Sequence, residues 1–122
     1  MCIRDSHEAV SVVDAAVLPT YYDPCSRFIL EALAQAKPVI TTRFNGASER
    51  IIDNRHGHII EDPRDIEALA RALRRLAEPQ NAQNAAEAII KDNLAEEISI
   101  AKHAETMVKL YNRIMADKGD AR

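Results

Sequence analysis

The sequence contains few of the residues on which disulfide-rich, zinc-binding and nucleic-acid-binding proteins depend. Its two cysteines, Cys2 and Cys25, have neither the number nor the spacing of a disulfide framework or a zinc site. Three tyrosines, two phenylalanines and no tryptophan offer little for base stacking, and a formal net charge of -3 gives no general attraction to polyanions. We therefore expect a protein of a reducing compartment, by default the cytoplasm, that does not bind nucleic acid.

Long apolar segments are also absent from the sequence. No run approaches the roughly 20 apolar residues that are needed to span a bilayer. The first residues lack the basic-then-apolar order of a signal peptide. Any membrane association of the protein is therefore expected to be peripheral.

The residues that are present have the composition of an ordinary packed protein, 47% hydrophobic and 29% charged. A chain of 122 residues suits one domain with its own core, but it is small for a complete enzyme that binds two substrates. The opening segment, residues 1–6, shows no clear periodicity and joins abruptly to the residues after it. We interpret it as an artefactual or truncated start and exclude it from the predicted fold.

Short apolar runs alternate with amphipathic stretches, a pattern typical of βα units around a parallel sheet. The apolar runs predict three strands: Ala15–Leu18, Pro38–Thr42 and His58–Ile60. Helical spacing predicts further elements at about Ser26–Ala36, Ala47–Ile52 and Asn81–Asn93. Together these elements predict an α/β fold: a Rossmann-like half-domain with a short parallel sheet, helices on both faces and a helical C-terminal extension.

Two more helices are predicted from their starts and apolar faces. For the first helix, Asp62 supplies an N-cap, Pro63 the first helical residue and Pro79 the end. One face of this helix is apolar: Ile66, Leu69, Ala70, Leu73 and Leu76. The final helix carries an apolar stripe: Ile100, Ala104, Met107, Val108, Tyr111, Ile114 and Met115. We expect this stripe to lie mainly in the core, with a surface for another domain as the alternative. Residues 117–122 are expected to fray.

One segment combines groups that suit a charged ligand rich in hydroxyls. Asp23 stands just before a predicted helix, and Glu31 lies inside that helix. The loop that carries Asp23 follows the carboxyl end of a predicted parallel strand, where open α/β sheets bind ligands. First-turn amides, such as those of Ser26 and Arg27, can hold a diphosphate without a metal ion. Glu31 and Asp23 can accept hydrogen bonds from ribose and sugar hydroxyls. The alternative is that Asp23 caps the helix and Glu31 is a solvated surface charge.

Several short motifs surround these carboxylates in register: Leu18-Pro19-Thr20, Asp23, Glu31-Ala32-Leu33-Ala34-Gln35-Ala36-Lys37-Pro38-Val39, Asn45-Gly46-Ala47-Ser48-Glu49, His56-Gly57-His58-Ile59-Ile60 and Asp65-Ile66-Glu67-Ala68-Leu69. In order and spacing, they resemble the donor-binding half of GT-B glycosyltransferases, particularly the large retaining family 4. That family's pattern has Pro-Ser, a Glu, a small-residue loop, a second Glu, Ala-(Met or Leu)-Ala-x-Gly-x-Pro-Val and then Gly-Gly-x-Pro-Glu. The resemblance covers roughly Val13 to Leu76.

The resemblance implies retaining transfer of a sugar from a nucleotide-diphosphate sugar to an acceptor. It implies that Glu31 binds the donor ribose and that Asp23 stands where the family's first Glu acts on the donor sugar, the catalytic position. The amides of Cys25, Ser26 and Arg27 would line the sugar and the diphosphate. It implies no metal ion or other cofactor.

The same resemblance implies that the chain is one part of a larger enzyme. Residues 7–116 would be a partial nucleotide-sugar-binding domain. Family members usually supply two basic residues from an earlier segment of this domain, and the acceptor, a glycan, lipid or small molecule, is bound by an N-terminal domain. We therefore expect the chain to be inactive alone.

Other interpretations stay open on sequence alone. A non-catalytic α/β binding or regulatory module is the alternative function, and a degenerate remnant that acts only as an interaction surface is a third. Cys25 is expected to pack at the helix start rather than act as a nucleophile, and His56 and His58 lack the further ligands of a metal site. Tyr21 and Tyr22 either wall a sugar pocket or pack against the sheet edge.

Overall fold

The computed structural model describes residues 3–119, which form a parallel sheet with helices packed on it. The strands are β1 (Ala16–Leu18), β2 (Val39–Thr42) and β3 (Gly57–Ile60). They lie in the order β1-β2-β3, and all pairings are parallel. All three predicted strands are confirmed, and each start differs from its predicted position by one residue.

The helices surround this sheet in sequence order: α1 (Ile3–Ser11), α2 (Arg27–Ala34), α3 (Ile66–Ala77), α4 (Pro79–Lys91), α5 (Leu94–Glu97) and α6 (Ile100–Gly119). A 3₁₀ helix, Gly46–Arg50, comes after β2. The sequence did not predict α1, although its Val10 is buried in the core. The expected fraying of residues 117–122 stays a prediction: residues 117–119 continue α6, and residues 120–122 lie outside the described chain.

Strand β2 is central, and the whole strand is buried. A continuous β-branched and apolar run of this kind is typical of a strand that is covered on both faces. Val39 packs in a cluster with Leu33 of α2, whereas Ile40 packs in a second cluster with Leu76 of α3. Helices therefore cover both faces of the sheet, as predicted.

Helix α3 begins three residues later than the sequence suggested. Asp65, not Asp62, is its N-cap: the Asp65 carboxylate accepts a hydrogen bond from the Ala68 amide at 2.8 Å. The Asp62 carboxylate accepts from the Arg64 amide at 2.9 Å, within the turn that precedes the helix. The prediction of Asp62 as the cap is wrong because a nearer aspartate takes the first-turn amides.

The apolar face of α3 is also displaced around the helix from its predicted position. Leu76 is buried and Leu69 packs partly against the core, but Ile66 and Leu73 are exposed. Ala72, which was not on the predicted face, is buried against the sheet. Pro79 does not only terminate α3, since it is also the first residue of α4.

The apolar stripe of α6 lies on the surface, so the expectation that it belongs mainly to the core is wrong. Val108, Tyr111, Ile114 and Met115 are all exposed. Within the described residues, no contact with the sheet covers these side chains. None of the helices between residues 3 and 119 is both long and apolar enough to cross a membrane.

Candidate functional site

The candidate site lies at the carboxyl edge of the sheet, where the loops after β1 and β2 meet. The Asp23 amide donates to the Phe44 carbonyl at 3.1 Å, and the Gly46 amide donates to the Asp23 carbonyl at 2.8 Å. These two bonds hold the loop before α2 against the loop after β2. Open α/β sheets bind their ligands at this edge.

Gly46 allows this close approach of the two loops. A Cβ atom at position 46 would overlap the carbonyl oxygen of Pro24. The sequence analysis included Gly46 only as part of a short motif. The structure shows in addition that a side chain at position 46 would push the two loops apart.

The start of α2 is capped by Ser26, which is buried. Its hydroxyl oxygen accepts from the Ile29 amide at 3.4 Å, so Asp23 is not the helix cap. The Cys25 amide donates to Asp23 Oδ1 at 3.1 Å, and the Ser26 amide donates to Asn45 Oδ1 at 3.2 Å. Two of the three amides predicted to line a ligand therefore already donate to side-chain oxygens.

The Arg27 amide differs from these two amides in its hydrogen bonding. It belongs to the first residue of α2, where helix geometry provides no intrahelical acceptor. The helix dipole adds partial positive charge at the same end. Of the three predicted amides, this one best retains its capacity to donate to an anionic ligand.

Asn45 is a site residue that the sequence analysis missed. It is fully buried, and its Oδ1 accepts from the amides of both Ser26 and Ala47. Its Nδ2 donates to the Thr41 hydroxyl oxygen at 3.0 Å, and that hydroxyl donates to the Leu18 carbonyl at 2.9 Å. One side chain thus connects the ends of β1 and β2 with α2 and the 3₁₀ helix.

Two neighbouring cavities lie along α2 beside this network. The first, of about 410 Å³, has Arg27 and Glu31 in its wall. The second, of about 460 Å³, has Cys25 and Gly46 in its wall. The two cavities share Leu30 and residues 98–100, and each has the volume of a small-molecule site. We call the pair the α2 cleft.

Glu31 retains its capacity to bind a ligand in the α2 cleft. Its side chain is 33% exposed, and Oε1 lies 3.9 Å from Nη2 of the well-exposed Arg27. An exposed pair at that distance contributes little stability. Because a carboxylate has several acceptor positions, Glu31 can still accept bonds from a pair of hydroxyls.

Asp23 is half-buried at the edge of this region, and its carboxylate holds the Cys25 amide. It does not line either of the two described cavities. The structure therefore places Glu31, Cys25 and Arg27 on one cleft, with Asp23 in the loop that borders it. Ser26 lies beneath the loop rather than in the wall of the cleft.

The far wall of the cleft is formed by the segment from Ile98 to Ile100, which the sequence analysis did not assign to the site. Ser99 fixes this segment, because its hydroxyl oxygen accepts from the Lys102 amide at the start of α6. A serine just before an apolar helical pattern is a recognisable helix start, so this part of the wall had a local signal.

The remaining predicted residues have structural explanations or are exposed. Cys25 is an exposed free thiol, so the expectation that it packs at the helix start is wrong; the neighbouring Ser26 occupies the buried position. Tyr21 and Tyr22 are exposed and do not pack against the sheet edge. His56 is buried at the opposite edge of the sheet, with Nε2 2.7 Å from Asp92 Oδ2.

A parallel α/β layer, with loops from two strand ends meeting beside the start of a helix, defines a Rossmann-like ligand-binding unit. Residues 2–79 match the family model of group 1 glycosyl transferases. The chain belongs to this glycosyltransferase family, and its fold is the Rossmann-like half of a GT-B fold that the resemblance implied.

Similar proteins agree with this assignment. Glycogen synthase from Mycobacterium tuberculosis is 41% identical over 76 residues, which are 62% of this chain and 18% of that protein. Alpha-maltose-1-phosphate synthase from Mycolicibacterium smegmatis is 32% identical over 115 residues, which are 89% of this chain and 30% of that protein. Sucrose-phosphate synthase from Thermosynechococcus elongatus superposes with a TM-score of 0.75 at 28% identity, covering 89% of this chain and 27% of that chain.

This chain therefore spans less than a third of the length of each of these three proteins.

Proposed function

We propose that the α2 cleft binds the nucleotide-diphosphate-sugar donor of a retaining glycosyltransferase. The observation that supports this proposal is that Arg27, at the start of α2, and Glu31 line one cavity, next to the loops at the carboxyl edge of the sheet. That edge is the ligand-binding edge of open α/β folds, and the chain belongs to a glycosyltransferase family.

In this proposal Glu31 binds the ribose and the start of α2 binds the diphosphate. The Glu31 carboxylate accepts hydrogen bonds from the two ribose hydroxyls, which are charge-assisted and therefore stronger than neutral bonds. The Arg27 amide and the positive end of the helix dipole favour the diphosphate. During transfer, the same groups stabilise the negative charge that develops on the departing nucleoside diphosphate.

Asp23 is assigned to the donor sugar, as the carboxylate in the catalytic position. Its bond to the Cys25 amide holds the carboxylate at the border of the cleft. An aspartate there can accept bonds from sugar hydroxyls, but it reaches one methylene less far than the glutamate of the family pattern. We therefore assign Asp23 to sugar transfer rather than to nucleotide affinity.

The acceptor and the additional basic groups are proposed to lie outside these 122 residues. The chain covers less than a third of the glycosyltransferases it matches, and residues 7–116 are assigned to a partial donor domain. We expect the chain alone to bind donor without turnover, and any membrane association of the longer enzyme to be peripheral.

The proposal is tested by calorimetric titration of the chain with UDP, GDP and ADP. Glu31→Gln keeps the shape of the side chain but removes its charge, so it should weaken binding of the preferred diphosphate about ten- to a hundredfold. Glu87→Gln is the matched control, because Glu87 is an exposed residue of α4, away from the cleft. The control should bind like the wild type.

Asp23→Asn separates the two carboxylates. It keeps the oxygen that accepts from the Cys25 amide, so the loop should hold its position. We expect unchanged affinity for the free diphosphate but weaker binding of the corresponding nucleotide sugar. Binding of no diphosphate, or equal affinity in wild type and Glu31→Gln with both folded, would contradict the assignment and favour the non-catalytic module.

A further inference from the structure

We propose that Asn45 is a positioning residue of the donor site. It fixes the loop before α2 and occupies the Ser26 amide, so that the Arg27 amide is the one that meets the donor diphosphate. This inference rests on the donor site proposed above. It assigns a function to a residue that makes no contact with the donor itself.

The first observation is the set of bonds around Asn45. Its side chain is 0% exposed, and its Oδ1 joins the Ser26 amide, 19 positions away in the sequence, to the local Ala47 amide. Its Nδ2 is anchored on Thr41, so the amide group cannot turn without breaking all three bonds. The loop before α2 is therefore fixed before any ligand arrives, which lowers the entropic cost of binding.

The second observation is the backbone conformation at Asn45. A glycine at this position would have no side chain to accept from the Ser26 amide. Asn45 has φ -96° and ψ 120°, an ordinary extended conformation, so the backbone does not require glycine at this position. The asparagine adds a connection to the loop without introducing backbone strain.

The test compares two substitutions that remove different hydrogen bonds of the Asn45 side chain. Asn45→Ser keeps a cap for the Ala47 amide, but it is too short to reach the Ser26 amide as well. Asn45→Asp keeps an oxygen in place for both amides, but it replaces the Nδ2 donor to Thr41 with a second oxygen and buries a charge. Asn45→Ser should weaken nucleoside diphosphate affinity about three- to tenfold, and Asn45→Asp should recover only part of that loss.

A nucleoside without phosphates provides the internal control. If Asn45 acts by positioning the phosphate-binding loop, Asn45→Ser should leave the affinity for uridine, guanosine or adenosine unchanged while it lowers that for the matching diphosphate. A purely structural role would lower both affinities together. Equal diphosphate affinities in wild type and Asn45→Ser would overturn the proposal.

A measurement on the wild type covers the case in which Asn45→Ser does not fold. Amide hydrogen exchange should show Ser26 protected without ligand and unchanged when the diphosphate is added. Arg27 should gain protection only with the diphosphate. Exchange of an unprotected Ser26 amide that slows on binding would show that Ser26, not Arg27, meets the donor.

The two proposals fail differently. If Glu31→Gln weakens diphosphate binding but Asn45→Ser does not, the donor site stands and the role of Asn45 is wrong. If the wild type binds none of the three diphosphates, both proposals fail.

Discussion

The carboxyl ends of the strands form the carboxyl edge of the sheet, and their amino ends form the amino edge. Each of these two edges contains a buried polar side chain, and the two side chains are held by different chemistry. At the carboxyl edge, Asn45 makes neutral hydrogen bonds to backbone amides and to the Thr41 hydroxyl. At the amino edge, His56 accepts from the Ile52 amide through Nδ1, so its Nε2 carries the proton that it donates to Asp92. Arg55 binds the same carboxylate through two bonds of 2.6 Å.

The two edges therefore have different roles: one fixes the position of a loop beside the cleft, and the other contributes to the free energy of unfolding. The neutral network holds the loop that borders the α2 cleft, whereas the charged cluster ties the end of α4 to the residues before β3. Changes at the carboxyl edge should therefore alter ligand binding. Changes at the amino edge should alter the free energy of unfolding and leave the affinity of the folded protein unchanged.

The largest expected effect comes from adding a methyl group at Gly57, at the amino edge. A Cβ atom there would overlap the Val39 backbone, and the φ of 152° is one that side chains rarely adopt. Gly57→Ala should lower the free energy of unfolding by about 3 kcal/mol or more. Urea unfolding followed by circular dichroism measures this loss.

Gly46→Ala is the matching change at the carboxyl edge, since its Cβ atom would overlap the Pro24 carbonyl. We expect a smaller loss of about 1–3 kcal/mol, because a loop can shift where a central strand cannot. The shifted loop should also bind the diphosphate more weakly. Wild-type affinity for the diphosphate in folded Gly46→Ala would contradict the expected difference between the two edges.

A smaller, pH-dependent effect is expected at Asp92. Hydrogen bonds from Arg55, and then from His56, hold the pKa of Asp92 well below its usual range. Because the folded-state pKa lies below the unfolded value of about 4, the stabilisation is complete above about pH 4 and is lost as pH falls through the folded-state pKa. Wild type should be more stable than Asp92→Asn at pH 7 and pH 5.

The gap between wild type and Asp92→Asn should narrow toward pH 3, as thermal unfolding across this range would show. Asp117→Asn, on the exposed surface of α6, is the control and should show no such gap. A gap that stays constant down to pH 3 would mean that the charge of Asp92 does not stabilise the amino edge.

The smallest expected effect is a gain in the free energy of unfolding when Ala36 is replaced by glycine. Ala36 has a φ of 56°, in the left-handed region, just after α2. The Lys37 amide donates to the Ala32 carbonyl and the Ala36 amide to the Leu33 carbonyl, which is the helix-ending motif that normally contains glycine. The family pattern has glycine at this position too. Ala36→Gly should therefore raise the free energy of unfolding by about 1 kcal/mol.

Ala34→Gly is the control for that change, because Ala34 is still helical. The same replacement there should lower stability by about 0.5–1 kcal/mol. Equal effects of the two substitutions in a denaturant titration would contradict the assigned backbone conformation at Ala36.

Local signals predicted much of this fold. The β-branched and apolar runs located the strands, and the motif spacing located Glu31 on α2. Local signals gave a wrong prediction where two residues could each cap the same helix, as with Asp62 and Asp65 at the start of α3. The bonds that join Ser26 to Asn45 and Arg55 to Asp92 link residues 19 and 37 positions apart. No periodicity encodes such pairs, because the fold alone brings the partners together.

The most direct test of the donor site is a titration of the isotopically labelled chain with UDP, GDP and ADP, monitored by nuclear magnetic resonance. We predict that one diphosphate shifts the backbone resonances of Arg27, Leu30 and Glu31 in the α2 cleft. Resonances of His56 and Asp92 at the amino edge should not move. Shifts confined to the amino edge, or no shifts with any of the three, would contradict the account.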